Sequence, residues 1–188
     1  MPPKGEREDG MDQQDIRQAL REQRLATLAL ADQISEDRWH EPALPGDRSI
    51  HDILAHLIGW DEWAVAAFEI SASRPLPPVI VEAYHHVDDY NERVVKRYHN
   101  LTRDDVISAL QGSDERVVSS ALATSGGGDW LMRELPDLSV EGEKHLPTVR
   151  RVLRILLRHE REHDDEISAA FGITPHLEQF QEGAESGE

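Results

Sequence analysis

Apolar residues recur every three to four positions along most of the chain, while the step-of-two alternation of strands appears too rarely to build a sheet. The pattern therefore predicts helices. The first spans about 14–34, with Ile16, Leu20, Thr27, Ala31 and Ile34 on an inward stripe and Leu25 and Leu28 flanking it. After a connector carrying Trp39, Pro42, Pro45 and Gly46, a second helix opens at Ser49, an N-cap with Asp52 three residues on as a shortened capping box. It continues through Ile53, Leu54, Leu57, Ala64, Val65 and Phe68 until Pro75, Pro77 and Pro78 forbid it. A third helix is predicted over about 79–98 and a fourth over about 103–123, the latter capped by Thr102. Gly126, Gly127 and Gly128 then open a long irregular connector with Trp130, Pro136 and Pro147, long enough to fold over one end of the domain or pack against a partner. The last helix covers 148–171 and stops at Gly172, with Pro175 just beyond. The expected fold is all-α, an antiparallel helical bundle.

A chain of 188 residues with 38% apolar residues can bury one substantial core. Residues 1–12 and 178–188 hold too few apolar groups to offset the entropy of ordering, so both are expected to be disordered tails around a domain at 13–177. The 37 acidic residues against 20 basic ones give a formal net charge of -17. That charge argues against binding nucleic acid or an anionic membrane by general electrostatics. The absence of cysteine excludes disulfides, a thiolate zinc site and a cysteine nucleophile; chemistry that needs a thiol must take it from a cosubstrate. No stretch approaches the ~18 to 20 apolar residues of a membrane span, and the first residues lack the apolar centre of a signal peptide. A soluble, cytoplasmic protein is expected.

The residues that carry chemistry are histidines. His159 and His163, in the string His-Glu-Arg-Glu-His, lie four apart on the last helix with Cβ atoms roughly 6 Å apart, close enough to share one metal ion. Val149, Val152, Leu156, His159, His163, Ile167 and Ala170 form one stripe, so the pair is predicted to face inward, away from Arg150, Arg154, Arg158, Arg161 and Asp165. A third ligand must come from elsewhere, and the best candidate is His56, on the face Ser49, Ile53, His56, Trp60, Trp63 and Ala67 of the second helix. Alone, His56 reads as a core histidine bonded to a carbonyl; joined to an inward pair in a bundle it reads as a ligand.

The other histidines are expected to be ordinary. His85 and His86 are adjacent and point about 100° apart on a helix. His40, His51, His99, His145 and His176 lie near element ends or in connectors, where exposure is the rule. Trp60 and Trp63 are either core aromatics or the wall of a substrate pocket beside His56, a pocket to which Asp52 and Glu160 are also candidates. The string matches the H-E-x-x-H of zinc proteases, with Glu160 as general base. However, Asp164, Asp165, Glu166 and Ile167 follow where further ligand signatures would stand. Glu160 is then expected at the border of the metal face, either orienting an imidazole from behind or solvated.

The segment from Arg48-Ser-Ile-His-Asp-Ile-Leu-Ala-His56 to Leu-Ile-Gly-Trp-Asp-Glu-Trp63, followed a hundred residues later by the stretch from Thr148 to His163, resembles the DinB/YfiT-like superfamily of four-helix metalloproteins. That superfamily includes thiol transferases and mycothiol-dependent maleylpyruvate isomerases, and the DfsB/ClbS group associated with toxin resistance is similar. The resemblance covers about 15–171 and implies a four-helix bundle in which His56, His159 and His163 bind a divalent metal, commonly nickel or zinc, with open positions for water or substrate. The family's frequent Trp-Ser at the start of the second helix is Arg48-Ser49 here, a change at the entrance to the pocket. Bundles of this size often pair through a helix face and the resemblance implies the same, so a homodimer is expected.

Three neutral imidazoles leave the charge of a divalent ion uncompensated, making it a Lewis acid that can acidify water or hold a thiolate near neutral pH. The leading expectation is a metal-dependent enzyme acting on a small electrophile by thiol transfer, with a mycothiol- or bacillithiol-like cosubstrate, or by hydrolysis. The alternative is a bundle that sequesters a small toxic molecule without turnover, with a structural metal or none.

Overall fold

A computed structural model of the chain describes residues 13–70, 77–123, 130–135 and 148–176. The two tails and most of the connector before the last helix, with His145, lie outside the described residues. Within them the chain forms α1 (Gln13–Asp32), α2 (Ile50–Glu69), α3 (Pro78–His85), α4 (Val87–Tyr98), α5 (Arg103–Ala123) and α6 (Val149–Phe171), with 3₁₀ turns at Glu36–Arg38 and Trp130–Met132. Among the described residues no strand forms, only isolated bridges between Leu44 and Arg48 and between Glu134 and Thr148.

The helix ends follow the local chemistry. Ser49 Oγ accepts the Asp52 amide at 3.2 Å while the Ser49 amide donates to Asp52 Oδ2 at 2.9 Å, a reciprocal capping box at the start of α2. Thr102 and Asp105 repeat the arrangement before α5. Thr148 caps α6, and Gly172 ends it in the left-handed region at φ 67°, where the missing Cβ removes the steric cost. The third predicted helix is in fact two. His86, at φ -140° and ψ 57°, closes α3 and opens α4. The sequence Ile80, Ala83, Val87, Tyr90, Val94 reads as one unbroken stripe, yet Val87 is exposed while Ile80, Ala83, Tyr90 and Val94 are buried. The break lets each short helix bury its own pair.

Helices α1, α2, α5 and α6 make the bundle; α2 packs against α5, α4, α6 and α3, and α1 against α6 and α5. Gln23 meets Asp164 and Gln33 meets Thr174, so α1 and α6 run the same way. Asp61 meets Ser113 and Glu69 meets Ser120, so α2 and α5 also run together, opposite to the first pair. The bundle is antiparallel between these pairs and parallel within them. The α3–α4 hairpin makes this possible by returning the chain along α2 before α5 begins.

The core divides in two. One cluster gathers Ile16, Leu20, Trp63, Phe68, Val117, Val152 and Leu156; the other gathers Leu28, Leu30, Trp39, Ile53, Leu54, Leu110 and Ile167. Every bundle helix carries polar residues where one cluster gives way to the other: Gln23, Arg24 and Thr27 on α1, His56 and Asp61 on α2, Ser113 on α5, and His159, Glu160, His163 and Asp164 on α6. A polar layer thus crosses the middle of the bundle.

Candidate metal centre

One side of that layer holds the three histidines. His56 Nε2 lies 3.0 Å from His159 Nε2, which lies 3.1 Å from His163 Nε2. Together they form a group that could hold a metal ion, the one such group of three or more found among the described residues. His56 and His163 are buried and His159 half-buried. Ala170, placed on the same stripe by periodicity, is exposed, because the stripe leaves the core in the last turn of α6.

The donor set fits a cation. His159 Nε2 carries either a proton or an in-plane lone pair, so it cannot complete hydrogen bonds with both neighbours from the same tautomer. A positive ion is the one partner toward which all three nitrogens can turn lone pairs. Separations of 3.0 and 3.1 Å suit nitrogens about 2.1 Å from a shared ion. Burial first, then His159, His163 and Arg48, pushes the His56 imidazole down to about 2; burial first, then His163, Arg158 and Arg48, takes His159 down to about 4. Both rings are therefore neutral near pH 7. His163 Nδ1 lies 2.8 Å from Glu166 Oε2, a contact that, with the proton on Nδ1, leaves Nε2 free to coordinate.

The expected pocket residues separate into two groups. Trp60 packs edge-on against His56 at 6.2 Å and His159 at 5.8 Å between ring centroids, and touches Trp63 and Tyr90 at 5.6 and 5.4 Å. Trp60 thus walls the triad, with Trp63 behind it. Asp52 is committed instead to the cap of α2, where His51 beside it and the Ser49 bonds hold its carboxyl down at about 2. Glu160 also turns away. One residue past His159 it points about 100° around α6, and there it pairs with Arg24 at 2.9 Å and accepts from Thr27 at 2.8 Å.

That pairing belongs to a network that periodicity did not reveal. Arg24, 5% exposed, also pairs with Asp61 at 2.8 Å and donates to the Leu110 carbonyl at 2.9 Å. Ser113 donates to Asp61 at 2.5 Å, and Gln23 donates to Asp164 at 2.6 Å. One guanidinium thus faces three buried carboxylates. Burial works against the Arg24 charge, but Asp61 and Glu160 raise its proton affinity above the ordinary value. Burial outweighs the same pairing for the acids, lifting Glu160 to about 7 and Asp164 to about 8. The two directions agree once one cation is shared among several carboxylates. Two signals were present in the sequence: Arg24 stands four residues after Leu20 on the inward stripe, and Leu153, Leu157, Glu160, Asp164 and Ile167 form a second buried row on α6.

His51 corrects another expectation. Placed near an element end, it was expected to be exposed; it is fully buried, its ring 4.9 Å from His40 and 6.5 Å from His99. The cause is local: the first turn of α2 tucks under the Trp39 segment, with the His51 amide donating to the Trp39 carbonyl. Arg48 is half-buried and held by a two-way backbone bridge to Leu44 across a turn in which Gly46 and Asp47 have φ 75° and 56°.

A family model described as the DinB superfamily matches residues 19–167. No curated protein and no solved structure matches the chain. No described helix is long and apolar enough to cross a membrane.

Proposed function

Because the chain belongs to the DinB superfamily, we propose that it is a divalent-metal-dependent enzyme acting on a small electrophile, by transfer of a low-molecular-weight thiol of the mycothiol or bacillithiol kind or by hydrolysis. The observation that carries this reading is the convergence of three imidazole nitrogens from two helices. His56, His159 and His163 would hold the ion, with nickel and zinc among the divalent ions that suit imidazole donors, and the bound ion would supply Lewis acidity. Trp60 and Trp63 give the substrate an apolar wall and exclude water from that side. Glu166 steadies the His163 ring. The Arg24 network locks α1, α2, α5 and α6 at the level of the triad and so fixes the distance between its two halves.

The geometry weighs against the protease alternative. Glu160, the general base such an enzyme would need, is buried in its pair with Arg24 rather than open toward the histidines. The test is turnover by metal-loaded protein offered mycothiol, bacillithiol or glutathione with 1-chloro-2,4-dinitrobenzene, and separately p-nitrophenyl acetate. Many product molecules per chain are expected from at least one combination, with a loss of at least a hundredfold in His159→Ala. Consumption that stops at one equivalent would favour the sequestering alternative, and no reaction with any of them would contradict the proposal.

A further inference from the structure

Away from the triad, a second group of imidazoles meets where three elements join. His40 follows the 3₁₀ turn Glu36–Arg38, His51 stands in the first turn of α2, and His99 is the C-cap of α4. The ring centroids of His40 and His51 lie 4.9 Å apart, the same separation as His56 and His159 within the triad. His99 stands 6.5 Å from His51, farther than any pair of the triad. Like His40 it is exposed, and so has room to turn toward the other two.

His51 is the floor of this group and its anomaly. The ring is fully buried, yet neither nitrogen has a hydrogen-bond partner among the described residues. A polar group buried in that way is costly, so something of matching chemistry is called for. Asp52 faces the ring without satisfying it: Oδ2 is taken by the Ser49 amide and hydroxyl, and Oδ1 lies 3.8 Å from His51 Nδ1, beyond hydrogen-bond length. The carboxylate nevertheless favours a cation here. It stands to His51 Nδ1 as Glu166 stands to His163 Nδ1 in the triad, on the far nitrogen, leaving Nε2 for an ion.

We infer that His40 and His51, completed by His99, hold a second divalent ion of the zinc kind, distinct from the one assigned to the triad. Imidazole donors suit zinc, nickel and copper over the hard cations calcium and magnesium. The ion would tie the segment after α1 and the end of α4 to the start of α2. Two of its three ligands are exposed and must be ordered on binding, so this site is the weaker one and fills only at free metal well above that which fills the triad. It stands independently of the enzyme reading.

Equilibrium dialysis of the full, untagged chain against rising zinc tests this. A weak class of one zinc per chain is expected after any tight one. His40→Ala removes an exposed side chain; it should weaken the weak class at least tenfold and leave both the tight class and the melting temperature of metal-free protein unchanged. His51→Gln should weaken it as much, and His176→Ala, an exposed histidine beyond α6, not at all. His56→Ala combined with His159→Ala should lose the tight class and keep the weak one, with zinc still raising the melting temperature. Should that double variant not fold, the comparison of His40→Ala with the wild type decides alone. An empty triad would leave one class, assigned by its loss in His40→Ala. No zinc binding sensitive to His40→Ala, or an equal loss in His176→Ala, would overturn the inference.

Discussion

Thr27 has one hydroxyl proton and three acceptors around it: the Gln23 carbonyl at 3.1 Å, Glu160 at 2.8 Å and Asp164 at 3.1 Å. A proton on Asp164 resolves the shortage, because the carboxyl can then donate to Thr27 Oγ while Thr27 donates to Glu160. Burial, which lifts Asp164 to about 8, favours the same state. The sign for stability follows. Between the ordinary carboxylate range and pH 8 the folded chain keeps a proton that the unfolded chain releases, so this contribution is lost as pH rises through that window. Asp164→Asn, which keeps a donor without a titrating proton, is expected to flatten the fall of melting temperature between pH 6 and 9 in metal-free protein. The same displacement at every pH would contradict the protonated carboxyl. Arg24→Leu strands Asp61 and Glu160 and should cost about 3–5 kcal/mol in urea unfolding; a change below about 1 kcal/mol would show that the pairs carry no stability. The triad was legible in the sequence because each histidine sits in an otherwise apolar row. The acid network was not, because no single helix shows that one arginine will meet carboxylates from two others.

At the scale of elements, the contact between α2 and α4 turns on Gly59. A Cβ there would overlap both methyl groups of Val94, and Tyr90 from the same face of α4 donates its hydroxyl to the Gly59 carbonyl. Helix propensity alone favours alanine over glycine by about 1 kcal/mol. The overlap reverses the sign, since overpacking costs about 1–3 kcal/mol. Gly59→Ala is thus expected to lower stability, and Val94→Ala in the same chain to recover part of the loss; a stabilised Gly59→Ala would show that α4 yields freely. The caps at Ser49 and Thr102 and the glycine stop at Gly172 were readable because they depend on neighbours within four residues. The break at His86 was not, because the apolar period runs through it and Val87, on that period, is nonetheless exposed.

At the scale of the molecule, the bundle sets a polar layer between two apolar clusters, with imidazoles on one side and the Arg24 network on the other. The all-helical class was evident from periodicity. The parallel pairing of α1 with α6 and of α2 with α5 was not, since apolar stripes carry no direction and only cross-helix bonds such as Gln23 to Asp164 supply it. The layer places His56 opposite His159 and His163, and the most direct test of its purpose is metal stoichiometry. Full-length protein prepared without an affinity tag that binds metal should be stripped, titrated with nickel and zinc, and assayed by mass spectrometry beside His56→Ala. About one ion per chain is expected in the wild type, lost or weakened at least a hundredfold in the variant. Binding below a tenth of an ion per chain in the wild type, or an affinity unchanged in His56→Ala, would contradict a three-histidine metal centre.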